Sequence, residues 1–433
     1  MFCIPPHPLT RLRLADGVAC HLAPGRAELV VGAQNAFVFT DTPVLGLLAA
    51  LRAGTLPAAQ GEDWAAAECL LIEAGLLSVE FLASPGGAVV ACLHSSGHAL
   101  ALRVATLATD WRIHRHAVLQ PDGAGWRLSS PLSSYQLHLA DAGMLDGLRE
   151  RSAGSAGGLA SLLARALWAG ALAEGPGDGE IAALAWSHDD LHFHSASRRH
   201  ADHRPRGKRA TRPDWAPPVP AVSASAPLQE HLRQRLQSLS FESVLARRRS
   251  VRGPLPPPTL DELRDLLRVV QAERGERPTA PCRAYPMAGG LQALDFHLVA
   301  AVSPGAVATL HGYDAATGLL RPVDAPAGSA QRLLDEAAQT WGETQGTPCA
   351  LVVFTARMPE LAARYEATAY RLALLEAGCA SLLLTQVATA LGLGTCVLGN
   401  GDSTLFAWAS GLPEWQSPAI AEIAIAGRLT DQR

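Results

Sequence analysis

The chain has 433 residues, about three times a common domain length, so two or three domains are expected. Apolar residues make up 48% of it, enough for sizeable cores. A formal net charge of -4 and a pI of 6.4 argue against a nucleic-acid partner, which calls for a basic surplus.

The start, Met1-Phe2-Cys3-Ile4-Pro5-Pro6, lacks the charged opening and long apolar run of a signal peptide. No stretch offers the roughly 20 uninterrupted apolar residues that span a bilayer. Eight cysteines occur (Cys3, Cys20, Cys69, Cys92, Cys282, Cys349, Cys379 and Cys396) without any C-x-x-C pair. That usage reads as thiols kept in a reducing cytoplasm, with no membrane partner.

The first half holds a repeated order of elements. Strands are predicted at Glu28–Val31 and Ala36–Phe39, then helices at Val44–Leu51 and Ala65–Leu71, closing in Glu73-Ala74-Gly75-Leu76-Leu77. The order returns with strands at Trp126–Ser129 and Tyr135–Leu139. A helical run at Met144, Leu145 and Leu148 and another at Leu159–Leu167 follow, closing in Ala169-Gly170-Ala171-Leu172. A glycine after a helix and before apolar residues suits a helix stop leading into a strand. The pattern predicts two winged-helix-like modules, residues 1–82 and residues 83–203, the latter with a connecting segment. Neither has a basic recognition helix, which leaves peptide capture on a strand edge or a purely structural role.

His188, His192, His194, His200 and His203 cluster late in this half. Imidazoles bind metals, but no cysteine or carboxylate set completes a ligand spacing, so a structural or interface role is expected and no metal. Residues 204–238 are rich in arginine and then proline, including Arg204, Arg206, Pro217, Pro218 and Pro220. They are read as an interdomain linker, and because proline fixes φ and removes donors, the run between His203 and Pro227 is expected to be extended and irregular.

From residue 239 onward helices and strands alternate. Helices are expected at Leu260–Val270, Gln331–Thr340 and Tyr365–Leu391, and strands at Asp295–Val302, Ala350–Thr355 and Ile420–Ala426. Four separated segments carry the candidate chemistry. Arg247-Arg248-Arg249-Ser250-Val251-Arg252 offers guanidinium forks and a hydroxyl for a phosphate. Arg283–Leu291 contains Pro286 followed by Gly289-Gly290, a tight turn whose backbone can approach a flat ligand. Arg364–Gly378 places Tyr365 beside a cation, an arrangement for acid–base work, and helical spacing would align Arg364, Thr368 and Arg371. Leu391–Gly401 reads as a helix stop, a short strand and a glycine-rich bend with free backbone donors. Taken singly, each has a plain alternative: surface charge, an ordinary turn, packed tyrosines and a simple helix-to-strand connection.

In this order and spacing the segments resemble the nitroreductase superfamily, and within it the SagB-type dehydrogenases of thiazole/oxazole peptide maturation. The likeness covers about Phe241 to Leu429, and Trp186–His200 resembles the stretch preceding that domain in such chains. The resemblance implies an α+β, FMN-dependent nitroreductase-like domain over residues 239–433, working as a homodimer with FMN between subunits. It assigns Arg248, Arg249, Ser250 and Arg252 to the phosphate and ribityl groups, and Pro286, Ala288 and Gly289 to the flavin edge. Val397, Leu398, Gly399 and Asn400 would lie under the ring, and Arg428 would be a second phosphate ligand. Tyr365 and Arg364 would be catalytic.

Departures from the pattern are Arg364 in place of lysine, Met287 in place of serine, Leu382-Leu383 in place of Gln-Asn and Cys379 in place of histidine. Arginine keeps the charge but does not give up a proton. The implied function is oxidation of azolines to azoles in a ribosomally made precursor peptide, alongside a cyclodehydratase. The alternatives are another FMN-dependent oxidation or reduction of a peptide or small molecule, and a non-catalytic scaffold that binds peptide or cyclodehydratase.

Overall fold

The structure is a computed structural model that describes residues 7–31, 35–54, 62–95, 107, 109–149, 158–175, 187–198, 211, 213–216, 230–272, 283–303, 305–342 and 346–429. The chain divides into two compact units, Met1–Arg204 and Pro205–Arg433.

In the first unit, strand β1 (Thr10–Leu14) leads into a three-stranded antiparallel meander, β2 (Val18–Ala23), β3 (Arg26–Val31) and β4 (Asn35–Phe39). Helices α1 (Thr42–Ala53) and α2 (Glu62–Glu73) follow, and β5 (Leu77–Leu82) returns antiparallel to β1. After β6 (Val89–Ser95) the plan repeats. Strand β7 (Arg112–Ile113) precedes the meander β8 (Val118–Asp122), β9 (Gly125–Ser129) and β10 (Tyr135–Leu139). A 3-10 turn at Ala142–Leu145 and helix α3 (Leu159–Ala169) come next, and β11 (Ala173–Glu174) returns to β7. The expected helical run at Met144–Leu148 is thus a 3-10 turn where it is described, because its polar and glycine neighbours give it little apolar face.

The two helix stops are built alike. Ala74, Gly75 and Leu76 donate to the carbonyls of Leu70, Ile72 and Leu71; Gly170, Ala171 and Leu172 donate to Ala166, Trp168 and Leu167. The left-handed position falls on Gly75 in the first copy and on Ala171 in the second. Both copies drain into one core that includes Leu47, Leu71, Phe81, Leu93, Leu137 and Leu167. The sheet β1-β5-β6-β10-β9-β8 joins strands from both. Helix α4 (His188–Arg198) completes the described part of this unit, and His200 and His203 lie outside the described residues.

The second unit is mixed helix and sheet. Its sheet has the order β14-β13-β12-β15-β17-β16, from β12 (Leu294–Ala300), β13 (Thr309–Asp314), β14 (Leu319–Pro322), β15 (Ala350–Ala356), β16 (Leu393–Leu398) and β17 (Ala419–Arg428). All five pairings are antiparallel. Helices α5 (Glu230–Gln237), α6 (Phe241–Arg247), α7 (Leu260–Gln271), α8 (Ser329–Trp341), α9 (Met358–Arg364), α10 (Ala369–Ala390) and α11 (Ser403–Ser410) surround it. The strand period of two sorts β15 between two cores: Val352 and Phe354 face α7 and α10, while Leu351 and Val353 face α8 and α11. Helix α7 is closed by a capping box, Thr259 with Glu262, and turns Leu263, Leu266, Leu267 and Val270 inward.

Two expectations are corrected here. The linker expected over residues 204–238 ends in a packed helix, since Glu230–Gln237 forms α5, with Leu232 buried in the core and the Arg235 guanidinium donating to the Leu391 carbonyl at 2.7 Å. Tyr365–Leu391, in turn, is not one helix. Helix α9 ends at Arg364, Tyr365 is extended at φ -120 and ψ 154, and α10 starts at Ala369. Tertiary packing overrides the helical pattern there, because Tyr365 turns aside to meet Gly289. Arg364, Thr368 and Arg371 therefore do not share one helix face.

Helix α10 is apolar and long enough to cross a bilayer by length and composition. It is the core helix of this unit, with Ala373, Ala377, Ala380 and Leu384 buried on the sheet.

Candidate functional site

Helix α10 is the spine on which the four segments meet. After α6, the chain lays Ser250 beside Thr395 in a parallel bridge, and the Val251 amide donates to the Thr395 carbonyl at 2.9 Å. Leu255 then donates to Ala426 and Arg428 to Pro256, so residues 250–256 run along the ends of β16 and β17. Close approach needs glycine on the sheet side: a Cβ on Gly394 would press on Val251, and one on Gly427 would overlap the Leu255 and Pro256 carbonyls.

This path brings Arg248 to the rim of a cleft of about 390 Å³ that Val397 also lines. Its floor comes from Ala377, Gly378, Ser381 and Leu382 of α10 and from Ala421 of β17. A Cβ on Gly378 or Gly399 would meet nothing, so open space lies above both. Alternation along β16 turns Val397 outward and Leu398 into the opposite core. Gly399 and Asn400 follow as an exposed bend.

The second segment makes a short 3-10 turn, Ala288–Gly290, in which Gly289 and Gly290 take φ values of 57 and 75. A side chain at Gly289 would overlap the Tyr365 hydroxyl and crowd the Arg364 guanidinium. The Arg364 guanidinium carbon lies 5.9 Å from the Tyr365 ring centroid, an in-range cation–π approach. Pro286 is exposed just before the turn and Ala288 is buried within it.

Glu376 ties the turn to α10. Its carboxylate, 1% exposed, accepts the Ala288 N–H at 2.8 Å. Burial pushes the carboxyl up, against backbone donation from Ala288 and Ala293 and the charge of Arg357. Since Glu376 adjoins Ala377 on the same helix, the turn and the cleft are neighbours. Glu376 lies within the Arg364–Gly378 segment, where a carboxylate three residues from Ala373 on an apolar helix marks the need for a buried polar partner. Ser381, Thr385 and Ala421 also line the cleft without having been singled out.

Among the proposed ligands, then, Arg248 and Val397 share a cleft, and Ala288, Gly289, Arg364 and Tyr365 share a corner beside it. Arg249, Ser250 and Arg252 are exposed on the same strap. Arg428 is engaged elsewhere: its guanidinium donates to the Glu262 carboxylate at 2.6 Å. That bond, ahead of any other cause, pulls the Glu262 carboxyl down to about 2.

The histidines of the first unit form a separate group. The His188 and His192 rings lie 4.4 Å apart, His188 stacks on His116, and His192 Nε2 is 2.9 Å from the His116 carbonyl. No group of three His, Cys, Asp or Glu side chains among the described residues is placed to hold a metal.

Residues 245–423 match the Nitroreductase family. No curated protein matches the chain. Among solved structures, a protein from Ralstonia eutropha JMP134 classed as a nitroreductase aligns at 19% identity, over 53% of this chain and 95% of that one, with a TM-score of 0.36. A chain of the Escherichia coli microcin synthetase McbBCD complex with truncated pro-MccB17 bound aligns at 19% identity over 52% and 80%, with a TM-score of 0.37. An oxidoreductase containing FMN aligns at 18% over 45% and 79%, with a TM-score of 0.29. The C-terminal half of the chain carries a nitroreductase family domain.

Proposed function

We propose that the chain is an FMN-dependent dehydrogenase that oxidises azolines to azoles in a ribosomally made peptide. The observation that carries this is the meeting of four distant segments on α10, with Arg248 and Val397 lining one cleft and Gly289 against Tyr365 beside it. Those residues fit a flat, phosphate-bearing group: small side chains at Ala377, Gly378, Ser381 and Ala421, open space over Gly378 and Gly399, and a guanidinium at the rim. Members of the family that matches typically bind flavin.

Arg248, with Arg249, Ser250 and Arg252 on the same strap, would hold the phosphate and ribityl groups. Pro286, Ala288 and Gly289 would border the ring, and Val397, Gly399 and Asn400 would underlie it with only the backbone of Leu398, whose side chain is in the opposite core. Bound FMN would supply a two-electron acceptor. The protein's own part is placement and proton handling. Tyr365 presents its hydroxyl over Gly289, where it can take or polarise the proton lost from the azoline, and Arg364 orients the phenol and steadies developing charge.

Exposed apolar side chains on α6 (Phe241, Leu245), α10 (Leu375, Leu382) and β16 (Val397) form a face suited to a second copy, and we assign the homodimer to it. In the first unit we read the modules as winged-helix-like and the β4 edge, with Phe37 and Val38 exposed, as the place where precursor peptide is captured. The cyclodehydratase partner and a cytoplasmic site of action belong to the same reading.

Purified full-length protein should be yellow, or become so with FMN, and should remove two hydrogens per ring from an azoline peptide by mass. Colourless protein that leaves the peptide unchanged overturns the proposal. A non-catalytic scaffold is the second reading, favoured by Arg364 in the lysine position. It gains if Tyr365→Phe and Arg364→Ala leave product formation in the complex untouched.

A further inference from the structure

A second opening in the C-terminal unit lies away from the cleft. It is a groove of about 740 Å³ between the start of β12, α9 and the chain preceding β17. Two tryptophans line it, Trp215 and Trp415, and Trp415 is 87% exposed. Indole that open to water is an unspent contact surface, since aromatic rings are ordinarily withdrawn from solvent or held against a partner.

The charged groups of the groove are Asp295, Glu360 and Arg357, with Gln416 and Ser417 as uncharged polar neighbours. Arg357 is turned to the protein: it donates to the carbonyls of Leu291 and Gln292, and its Nε is 3.8 Å from the Asp295 carboxylate. Glu360 has no ion-pair partner among the described residues. Asp295 and Glu360 face each other closely enough to repel, and burial with that repulsion holds the Asp295 carboxyl above its usual range. Arg357 offsets one of the two carboxylates, leaving a net negative opening lined by two tryptophans. Negative charge beside aromatic faces is complementary to a cation.

Its location relates it to the candidate site. Helix α9 carries Met358 and Glu360 of the groove at one end and leads into Arg364 and Tyr365 at the other. The chain from Gly289 to Asp295 connects the same two places on the opposite wall. A seven-residue helix is about 10 Å long. An extended peptide covers that distance in about three residues.

We propose that this groove docks a lysine or arginine side chain of the peptide substrate, about three residues from the ring being oxidised. The assignment rests on the peptide-oxidase reading above. The ammonium or guanidinium lies between the Trp215 and Trp415 faces and meets Glu360, while Met358 packs along the aliphatic stem.

The test uses full-length protein and two labelled probes, acetyl-Gly-Lys-Gly-Lys-Gly-amide and its glutamine counterpart, followed by fluorescence anisotropy at low and high salt. The lysine peptide should bind about five-fold tighter, and salt should erode the difference. Trp415→Ala and Glu360→Gln should each bring the preference below about two-fold while FMN absorbance stays as in the parent. Equal binding of the two probes, or an unaltered preference in Trp415→Ala, overturns the groove. Protein that takes up no flavin yet keeps the preference overturns the peptide-oxidase reading and leaves the groove standing. An active azoline oxidase without the preference does the reverse.

Discussion

Buried carboxylates are treated differently in the two units. In the N-terminal unit Glu174, fully buried, is met by Arg112 at 2.8 Å, by Arg115 at 3.4 Å and by His114 at 3.4 Å. Glu80 is likewise met by Arg11 at 2.7 Å and Arg13 at 2.9 Å. In the C-terminal unit Glu376 is met by backbone amides, and Glu422 faces the like charges of Asp402 and Glu336. Guanidinium partners suit a carboxylate whose task is to hold strands together. A carboxylate that accepts a backbone amide suits the ordering of a turn, whereas Glu422, paired with Leu398 on the sheet face away from the cleft, is left beside like charges. Glu68 is the exception in the first unit, with burial pushing it up to about 7.

Glu376 separates the two units most strongly. Removing it in Glu376→Ala strands the buried amide of Ala288, at about 1 to 3 kcal/mol. Glu376→Gln keeps an acceptor oxygen and should recover most of the loss. In the other unit Arg112→Ala should cost about 1 kcal/mol or less, because Arg112 is largely exposed and Arg115 and His114 remain on Glu174. Denaturant unfolding of the three variants measures this. Equal losses for Glu376→Ala and Arg112→Ala would erase the distinction.

Glu422 sharpens it through pH. Its carboxyl is raised from 4.5 to about 7, chiefly by burial and then by Asp402 and Glu336. The folded state thus holds the proton more tightly than the unfolded chain does. Stability from this group is complete below about pH 4.5 and is lost as pH climbs through about 7, by up to roughly 3 kcal/mol. Glu422→Gln should flatten that decline in the C-terminal unit, and Glu68→Gln should flatten the corresponding decline in the N-terminal one. Parallel pH profiles for Glu422→Gln and the parent would show that the carboxyl is not held protonated.

Gly289 tests whether the turn held by Glu376 poises Tyr365. Its φ of 57 and the overlap any Cβ would make with the Tyr365 hydroxyl predict that Gly289→Ala displaces the phenol. A displacement near 1 Å costs on the order of 100-fold in kcat/KM for azoline oxidation, with little change in FMN affinity. Full activity in Gly289→Ala would dissociate Tyr365 from the chemistry.

Much of this was legible before the fold. Apolar spacing located α7, α10, β15 and β17, and the Gly75 and Gly170 stops marked the two ends of the N-terminal repeat. The Arg248 and Val397 segments could be paired only through motif order, since nothing local says that 150 residues of chain close between them. The break at Tyr365 was illegible because its cause is a distant glycine. Residues 365–368 have no proline or glycine to end a helix, and Gly289 leaves the space that Tyr365 fills. Glu376 and Glu422 were hidden for the same reason. Spacing on an apolar helix marks that Glu376 needs a partner, but the amide it meets, like the charges facing Glu422, comes from other segments that carry no sequence signature.

The two arginines assigned to phosphate make the finest distinction. Arg248 stands at the cleft and has no ion-pair partner among the described residues. Arg428 already has one, Glu262, which is held down at about 2 chiefly by that hydrogen bond. A guanidinium so occupied must give up one carboxylate to gain a phosphate, and the exchange leaves little net gain. Arg248→Ala should weaken FMN binding by about 10- to 100-fold. Arg428→Ala should weaken it by less than about three-fold. Quenching of FMN fluorescence on titration into protein reads both. If the two losses are equal, Arg428 leaves Glu262 when the cofactor arrives, and Glu262→Gln, which frees it in advance, should then tighten binding.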